Sequence, residues 1–154
     1  PFELYQHPVN LFVANFMGNP PMNFIDARLV KGEGGLCFFV DGQTVPVPAA
    51  REEALATSLD RVVKIGVRSH QMRPVEAGAA GAIRLKGQMV ENLGKELLVQ
   101  AQVGENLIRI SEEDTTRYAF YRGLADVKGE MGILLTDQIN VFDSETKANV
   151  LMKQ

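Results

Sequence analysis

The chain has 154 residues, of which 45% are hydrophobic and 23% are charged, a composition typical of globular proteins. This composition excludes a wholly disordered chain, a collagen and a coiled-coil rod. The formal net charge of −3 argues against a protein that coats DNA or anionic lipid. The single cysteine, Cys37, cannot form an internal disulfide, and no Cys/His cluster suits a structural zinc ion.

The start of the chain carries no targeting or membrane-spanning signal. Its apolar run, Leu11 to Met17, is far shorter than the roughly 20 residues that span a bilayer. A basic region followed by a small-residue cleavage site is missing, so we expect no signal peptide. Because the first residue is Pro1 rather than Met, we expect the chain to be a piece of a longer protein.

The first predicted element is a helix over Pro8 to Met17. Proline suits the first helical position, Gly18 suits the position after the last turn, and Pro20-Pro21 prevents continuation. Apolar residues recur at helical spacing and form one stripe: Val9, Phe12, Val13, Phe16 and Met17. A stripe this apolar on a helix this short predicts that the helix packs against a partner surface.

The pattern then changes to the period of two that strands show. Alternation from Asn23 and the apolar run Leu36 to Val40 predict two strands, and Asp41-Gly42 predicts a tight hairpin turn with positive φ at both residues. The strand returning over Gln43 to Pro48 contains prolines, which lack an N–H donor, so we expect it at a sheet edge.

A second helix is predicted over Ala49 to Leu59, followed by a strand over Val62 to Val67. Gly78 to Gly81 forms a flexible joint, and we expect the segments on its two sides to fold as one compact unit. Further short strands with glycine turns are predicted at Ile83 to Met89, Leu97 to Val103, Leu107 to Ile110, Met131 to Thr136 and Asn140 to Phe142. The fold class is therefore mainly β, with small antiparallel OB-like barrels and two short helices.

No motif for catalysis or metal binding is complete. The only Gly-Lys pair, Gly94-Lys95, is followed by Glu96, so there is no P-loop. His70 lacks a nucleophile elbow and is expected to be a solvent-exposed or hydrogen-bonded loop histidine. The acidic run Glu112 to Asp114 lacks EF-hand spacing and is expected to be a solvated turn. Cys37 is expected to be buried and inert. We therefore expect no catalytic, cofactor-binding or metal-binding residues in this chain.

The segment Arg117 to Arg122 interleaves aromatic and arginine side chains. On an OB-like barrel this pattern suits stacking with single-stranded nucleic acid, which is the alternative function. The acidic residues just before it and the anionic chain favour a protein contact instead. The candidate protein-contact residues are Phe12, Val13, Phe16, Tyr118, Phe120 and Tyr121.

The stretch from Glu3 to Phe24 closely resembles one family. It is similar to the junction after the nucleotide-binding domain in ATPase subunits of ABC importers of the maltose and glycerol-3-phosphate type, E-[LI]-Y-x-x-P-x-N-x-F-V-A-x-F-[IM]-G-[SN]-P-x-M-N. Agreement continues over Val63 to Arg68, Gly87 to Glu96 and Asn140 to Thr146. The sequence departs where Ser69-His70-Gln71 replaces Pro-Glu-His, and where Lys147 replaces a glycine.

The resemblance implies a non-catalytic regulatory and dimerisation module of a bacterial sugar importer's ATP-binding subunit. Residues 1–18 would be the tail of the nucleotide-binding domain and residues 19–154 the regulatory domain, with a transport-associated OB portion at about 79–154. ATP and magnesium would belong to the parent subunit alone. Implied partners are a second copy, the membrane permease subunits and a regulatory protein, without nucleic acid. The implied location is peripheral, on the cytoplasmic face of the inner membrane.

Overall fold

The computed structural model describes residues 8–11 and 22–151. The described residues form ten strands in two five-stranded antiparallel sheets, with two short α-helices. The predicted fold class is thereby confirmed. The helix predicted over Pro8 to Met17 falls mostly outside the described residues.

Two consecutive segments build the same series of three strands, a helix and a fourth strand. The first repeat contains β1 (Asn23–Gly32), β2 (Gly35–Val40), β3 (Gln43–Pro46), α1 (Ala49–Leu55) and β4 (Val62–Val67). The second repeat contains β6 (Ile83–Asn92), β7 (Leu97–Val103), β8 (Asn106–Glu112), α2 (Tyr118–Asp126) and β9 (Glu130–Leu135). Short 3-10 turns at Ala56–Ser58, Ser69–Gln71 and Thr115–Arg117 flank the helices and strands.

The strand that follows each repeat pairs with the fourth strand of the other repeat. Strand β5 (Met72–Val75) follows the first repeat but pairs with β9, and β10 (Asn140–Asp143) follows the second repeat but pairs with β4. The sheet orders are therefore β10-β4-β1-β2-β3 and β5-β9-β6-β7-β8. Each sheet takes strands from both sides of residues 78–81, so neither repeat completes its sheet alone.

Side chains at matching places join the two repeats. Gln43 begins β3, and its carboxamide donates to the Arg84 carbonyl (3.0 Å) and accepts from the Arg84 N–H (2.7 Å). Asn106 begins β8, and its carboxamide accepts from the Asp26 N–H (2.8 Å) and donates to the Asp26 carboxylate (3.0 Å). The first residue of each third strand thus binds the first strand of the other repeat. We call these pairs the Gln43 clasp and the Asn106 clasp.

One main hydrophobic cluster lies between the two sheets and includes residues of both repeats. The inner positions of β7 alternate with outer ones, as the period of two predicted. Helix α2 contributes Tyr121 to this cluster, and Leu124 packs against it. No helix in the described part of the chain is long and apolar enough to cross a membrane.

The hairpin and the edge strand are confirmed in detail. Asp41 and Gly42 both have positive φ, 46° and 78°, as a tight turn of this kind requires. Strand β3, with Pro46, lies at a sheet edge. The second predicted helix is also confirmed, although its α-helical part ends at Leu55 and a 3-10 turn continues it.

Three local expectations were wrong or incomplete. Met89 is 49% exposed rather than buried, because a bulge between Gly87 and Met89 shifts the alternation of β6 by one residue. Strand β5 was not predicted, since its Pro74 weakens the strand pattern. Helix α2 was not predicted either, because its aromatic residues and its glycine are weak helix formers.

Residues 8–11 pack against the end of the chain. The Leu11 N–H donates to the Lys147 carbonyl (3.1 Å), and the Asn149 carboxamide donates to the Pro8 carbonyl (2.7 Å). Leu11 joins Met22 and Phe142 in a small second hydrophobic cluster. The two ends of the described chain are therefore held together by hydrogen bonds and apolar contact.

Candidate functional site

Three of the predicted contact residues lie on helix α2. The preceding turn is capped by Asp114, whose carboxylate accepts the Thr116 N–H at 3.1 Å. Hydrogen bonds from the hydroxyl and the N–H of Thr116 lower the pKa of Asp114. This fixed turn sets the direction in which the helix begins. Phe12, Val13 and Phe16 lie outside the described residues.

Tyr121 belongs to the protein interior. It is only 2% exposed, and its hydroxyl donates to the Glu112 carboxylate at 2.8 Å. Burial, together with this hydrogen bond to Glu112, raises the pKa of Tyr121 well above its ordinary value. Arg117 forms an ion pair with the same carboxylate at 2.9 Å. Glu112 is therefore not the solvated acid that the sequence suggested, because it balances a buried hydroxyl and a cation.

Phe120 is the exposed aromatic residue of this helix. It is 52% exposed, and its ring meets Tyr121 edge to face with centroids 5.2 Å apart. The Arg117 guanidinium lies 4.7 Å from the Phe120 ring centroid, within range of a cation–π interaction. Tyr118 is half-buried, and its hydroxyl accepts from Arg122 at 3.3 Å. Of the three aromatic residues, Phe120 alone offers a large exposed face for a partner.

A second feature is an open groove of about 730 Å³ between the two repeats. The turn between β2 and β3 forms one wall, and the exposed side of β6 forms another. The Gln43 clasp joins these walls, and the Asp41 carboxylate accepts the Gly104 N–H at 3.2 Å. The lining is polar and charged: Asp41, Gln43, Arg84, Lys86, Gln88, Gln102, Lys128 and Glu130.

Cations outnumber carboxylates in this groove. Lys86 lies on β6 directly opposite Gln102 of β7 and Glu130 of β9, so the three side chains share one face of the sheet. Within the described residues, neither Lys86 nor Arg84 nor Lys128 lies within ion-pair distance of a carboxylate. The groove thus collects positive charge on a chain whose net charge is negative.

Little in the sequence pointed to this groove. Arg84, Lys86 and Gln88 appeared only as the outward half of a half-buried strand. The wall formed by Asp41 and Gln43 comes about 40 residues earlier and reaches β6 only through tertiary packing. A basic strand face is the only sequence signal that could have pointed to it.

Among the described residues, the remaining candidates, His70 and Cys37, belong to no catalytic or metal-binding cluster. His70 is exposed, as expected. Cys37 is half-buried rather than buried, since Phe38 takes the inward position of β2 and leaves Cys37 on the other face. Among residues 8–11 and 22–151, no group of three or more His, Cys, Asp and Glu side chains could hold a metal ion.

Comparison with known proteins agrees with the resemblance carried by the sequence. Residues 18–72 match the family model of the MalK OB fold domain. The sn-glycerol-3-phosphate import ATP-binding protein UgpC 1 of Rhizobium johnstonii is 38% identical over 101 residues, covering 66% of this chain and 26% of that protein. The trehalose/maltose import ATP-binding protein MalK of Thermococcus litoralis is 34% identical over 110 residues, covering 68% of this chain and 29% of that protein. The chain therefore spans less than a third of either relative.

A solved structure shares the fold. The cytoplasmic molybdate-binding protein ModG superposes with a TM-score of 0.52 at 10% identity, covering 77% of this chain and 94% of that one. Such low identity supports a common architecture alone. The matching family model places residues 18–72 in the MalK OB-fold domain family, and the two relatives show that the chain is related to the ATP-binding subunits of carbohydrate ABC importers.

Proposed function

We propose that this chain is the non-catalytic regulatory and dimerisation module of the ATP-binding subunit of a bacterial carbohydrate ABC importer. The observation that carries the proposal is the match of residues 18–72 to the MalK OB fold domain, with relatives named as import ATP-binding proteins. We take residues 1–18 as the tail of a nucleotide-binding domain and residues 19–154 as the regulatory domain. We take residues of about 79–154, which contain the second repeat and β10, as the transport-associated OB portion.

In this proposal the chain acts by contact. Two sheets that exchange strands and are joined by side-chain clasps form a body suited to holding subunits together while attached domains move. Its partners would be a second copy, the permease subunits and a regulatory protein, and its place would be the cytoplasmic face of the inner membrane. ATP and magnesium would act in the attached ATPase domain, so the chain alone should release no phosphate from magnesium-ATP.

A chimeric importer tests the function. Residues 22–151 of this chain replace the matching region of the Rhizobium johnstonii relative, and uptake of glycerol 3-phosphate and ATP hydrolysis are measured in cells with the cognate permease. We expect uptake to be retained and hydrolysis to stay coupled to substrate. The matched control carries Gly132→Val, which places side-chain atoms against the Glu76 carbonyl and should abolish uptake by unfolding the module. A chimera that assembles with the permease but transports nothing would contradict the proposal.

The contact residues are tested by the oligomeric state. The double variant Phe12→Ser/Phe16→Ser and the single variant Phe120→Ser are compared by light scattering with Leu93→Ser, which alters a similarly exposed apolar residue in the β6–β7 turn. We expect the first two to shift a dimer toward monomer and the control to leave it unchanged. A wild-type chain that is monomeric at high concentration would refute self-association.

A further inference from the structure

The lining of the groove between the repeats carries a net positive charge, from three cations and two carboxylates. Arg84, Lys86 and Lys128 line it without an ion-pair partner among the described residues. Of the two carboxylates, Asp41 accepts the Gly104 N–H, and Glu130 lies opposite Lys86 on β9 without an ion pair among the described residues. Holding like charges near one another costs free energy, which an anionic ligand would recover.

The corresponding place in the other repeat is organised differently. There the Asn106 clasp holds Asp26, and Lys64 pairs with the same carboxylate at 2.6 Å. At this place Asp26 and Lys64 thus pair with each other, whereas Arg84 and Lys86 on β6 have no ion-pair partner among the described residues. Since the two clasps perform the same joining role, the unpaired cations are not needed for the joining itself.

Lys128 adds an independent observation. Its backbone has φ 49°, in the left-handed region, at the residue after the Val127 C-cap of helix α2, where glycine or asparagine is the usual residue. A lysine at this position carries backbone strain that a glycine would relieve. The position therefore holds a strained cation at the border of a cationic groove, and strain of this kind is concentrated at functional sites.

The size and polarity of the groove restrict the ligand. A volume of about 730 Å³ lies within the range of small-molecule sites and is larger than a phosphate ion requires. Carboxamides complete the lining, since Gln88 donates to Gln102, which in turn donates to the Gly104 carbonyl at 2.9 Å. The Gln88 carboxamide oxygen has no protein partner among the described residues. Amide groups of this kind bind hydroxyl groups.

We propose that the groove binds a small phosphate ester that carries hydroxyl groups, of the class of sugar and polyol phosphates. The phosphate, with a charge near −2 at neutral pH, interacts with Arg84, Lys86 and Lys128, and the hydroxyl groups meet the carboxamides. The Gln43 clasp preorganises the site because it fixes the backbone of Arg84. The proposal concerns binding by the chain itself, so its failure would leave the proposed function untouched.

The test is titration calorimetry on the intact chain at low salt with matched ligands. Glucose 6-phosphate and glycerol 3-phosphate are the expected ligands, glucose and glycerol are their uncharged counterparts, and inorganic phosphate lacks the carbon skeleton. We expect measurable binding of at least one ester, binding at least about tenfold weaker for inorganic phosphate, and none for the uncharged compounds. Affinity should fall as salt rises.

Two variants locate the ligand. Lys86→Gln should weaken ester binding by about tenfold or more, with folding checked by circular dichroism. Lys128→Gly should weaken binding to a similar extent while leaving the melting temperature equal or higher, because it relieves strain. The matched control is Lys147→Gly, which relieves a positive φ of 68° at a residue outside the groove and should leave affinity unchanged.

Several outcomes would overturn the proposal. They are the absence of heat with both esters at millimolar concentration, equal binding of inorganic phosphate or of the uncharged compounds, and full affinity in both groove variants. An equal loss in the Lys147→Gly control would show a general effect of folding rather than a site.

Discussion

The two repeats share one design but differ in what they leave exposed. Each has three strands, a helix and a fourth strand, and each gives its next strand to the other. Each also begins its third strand with a carboxamide that binds the other repeat, Gln43 in the first and Asn106 in the second. At the Asn106 clasp Asp26 and Lys64 pair with each other, while at the Gln43 clasp the Arg84 guanidinium has no ion-pair partner among the described residues.

This difference distinguishes the features that the fold requires from the features that are candidates for a function. Features present in both repeats, such as the clasps and the exchanged strands, are explained by the need to close the sheets and cover their edges. Features without a counterpart, such as the cationic groove at the Gln43 clasp and the exposed Phe120 on α2, are not explained by closure. Variants that affect the repeats unequally therefore test the distinction, and they follow in order of expected effect.

The largest loss of stability is expected when the glycines of the fourth strands, β4 and β9, are replaced. A Cβ at Gly132 would lie 2.6 Å from the Glu76 carbonyl oxygen, and a Cβ at Gly66 would lie 2.5 Å from the Met22 sulfur and 2.7 Å from the Phe142 ring. We expect Gly132→Ala to lower the free energy of unfolding by about 3 kcal/mol and Gly66→Ala by about 2 kcal/mol, because a backbone atom yields less than side chains.

Urea denaturation followed by circular dichroism measures both losses. Gly78→Ala is the control, since no atom of the described residues lies within 4 Å of its Cβ position. If Gly132→Ala were as stable as this control, the close approach of Glu76 would not constrain the strand.

The next largest losses of stability are expected for substitutions in the two clasps. Gln43→Ala and Asn106→Ala each remove two hydrogen bonds, so we expect each to lower the free energy of unfolding by about 1–2 kcal/mol. Amide hydrogen exchange distinguishes them, because Gln43→Ala should accelerate exchange at Arg84 and Asn106→Ala at Asp26. Gln138→Ala, at an exposed glutamine, serves as the control. Acceleration at both amides in either variant would mean that the two clasps open as one.

A smaller effect of opposite sign is expected in helix α2. Gly123 lies inside this helix and has no counterpart in α1, which contains no glycine. Among the described residues, no atom lies within 4 Å of the Cβ position of Gly123. Gly123→Ala should raise the free energy of unfolding by about 0.8 kcal/mol, since glycine is the weaker helix former. Thermal unfolding measures the gain, and a fall in the melting temperature would contradict an open environment at this residue.

The smallest effect is the acid sensitivity of one clasp. Burial acts to raise the pKa of Asp26, but hydrogen bonds from Lys64 and Asn106 and the Lys64 charge outweigh it, so the pKa lies below its ordinary value. A lowered pKa stabilises the fold at pH values above the ordinary carboxyl pKa, and this contribution is lost as the pH falls below about 4. Because Asp26 is half-exposed, the contribution should be only about 0.5 kcal/mol.

The urea concentration at the midpoint of unfolding, measured between pH 7 and pH 3, tests whether the clasp that contains Asp26 is the acid-sensitive one. Asp26→Asn should lose less stability on acidification than the wild type does. Gln43→Ala should keep the wild-type slope, since the Gln43 clasp contains no titrating group. Identical slopes in Asp26→Asn and the wild type would remove Asp26 as a source of acid sensitivity.

Local features followed from the sequence because they depend on neighbouring residues. The positive φ of Asp41 and Gly42, the alternation along β7 and the helix after Pro48 each reflect backbone and side-chain preferences within a few positions. The relation to carbohydrate importer subunits was equally visible in the stretch from Glu3 to Phe24, since a motif is a property of consecutive residues.

Only the tertiary structure decided how distant segments meet. The sequence predicted β10 only as a strand and did not predict β5, whereas the free energy of covering sheet edges decides that each joins the other repeat. The same holds for Tyr121, whose aromatic pattern predicted a contact surface but whose burial depends on how α2 packs onto the sheet. The groove follows this rule too, since its walls come from residues about 40 positions apart that the Gln43 clasp brings together.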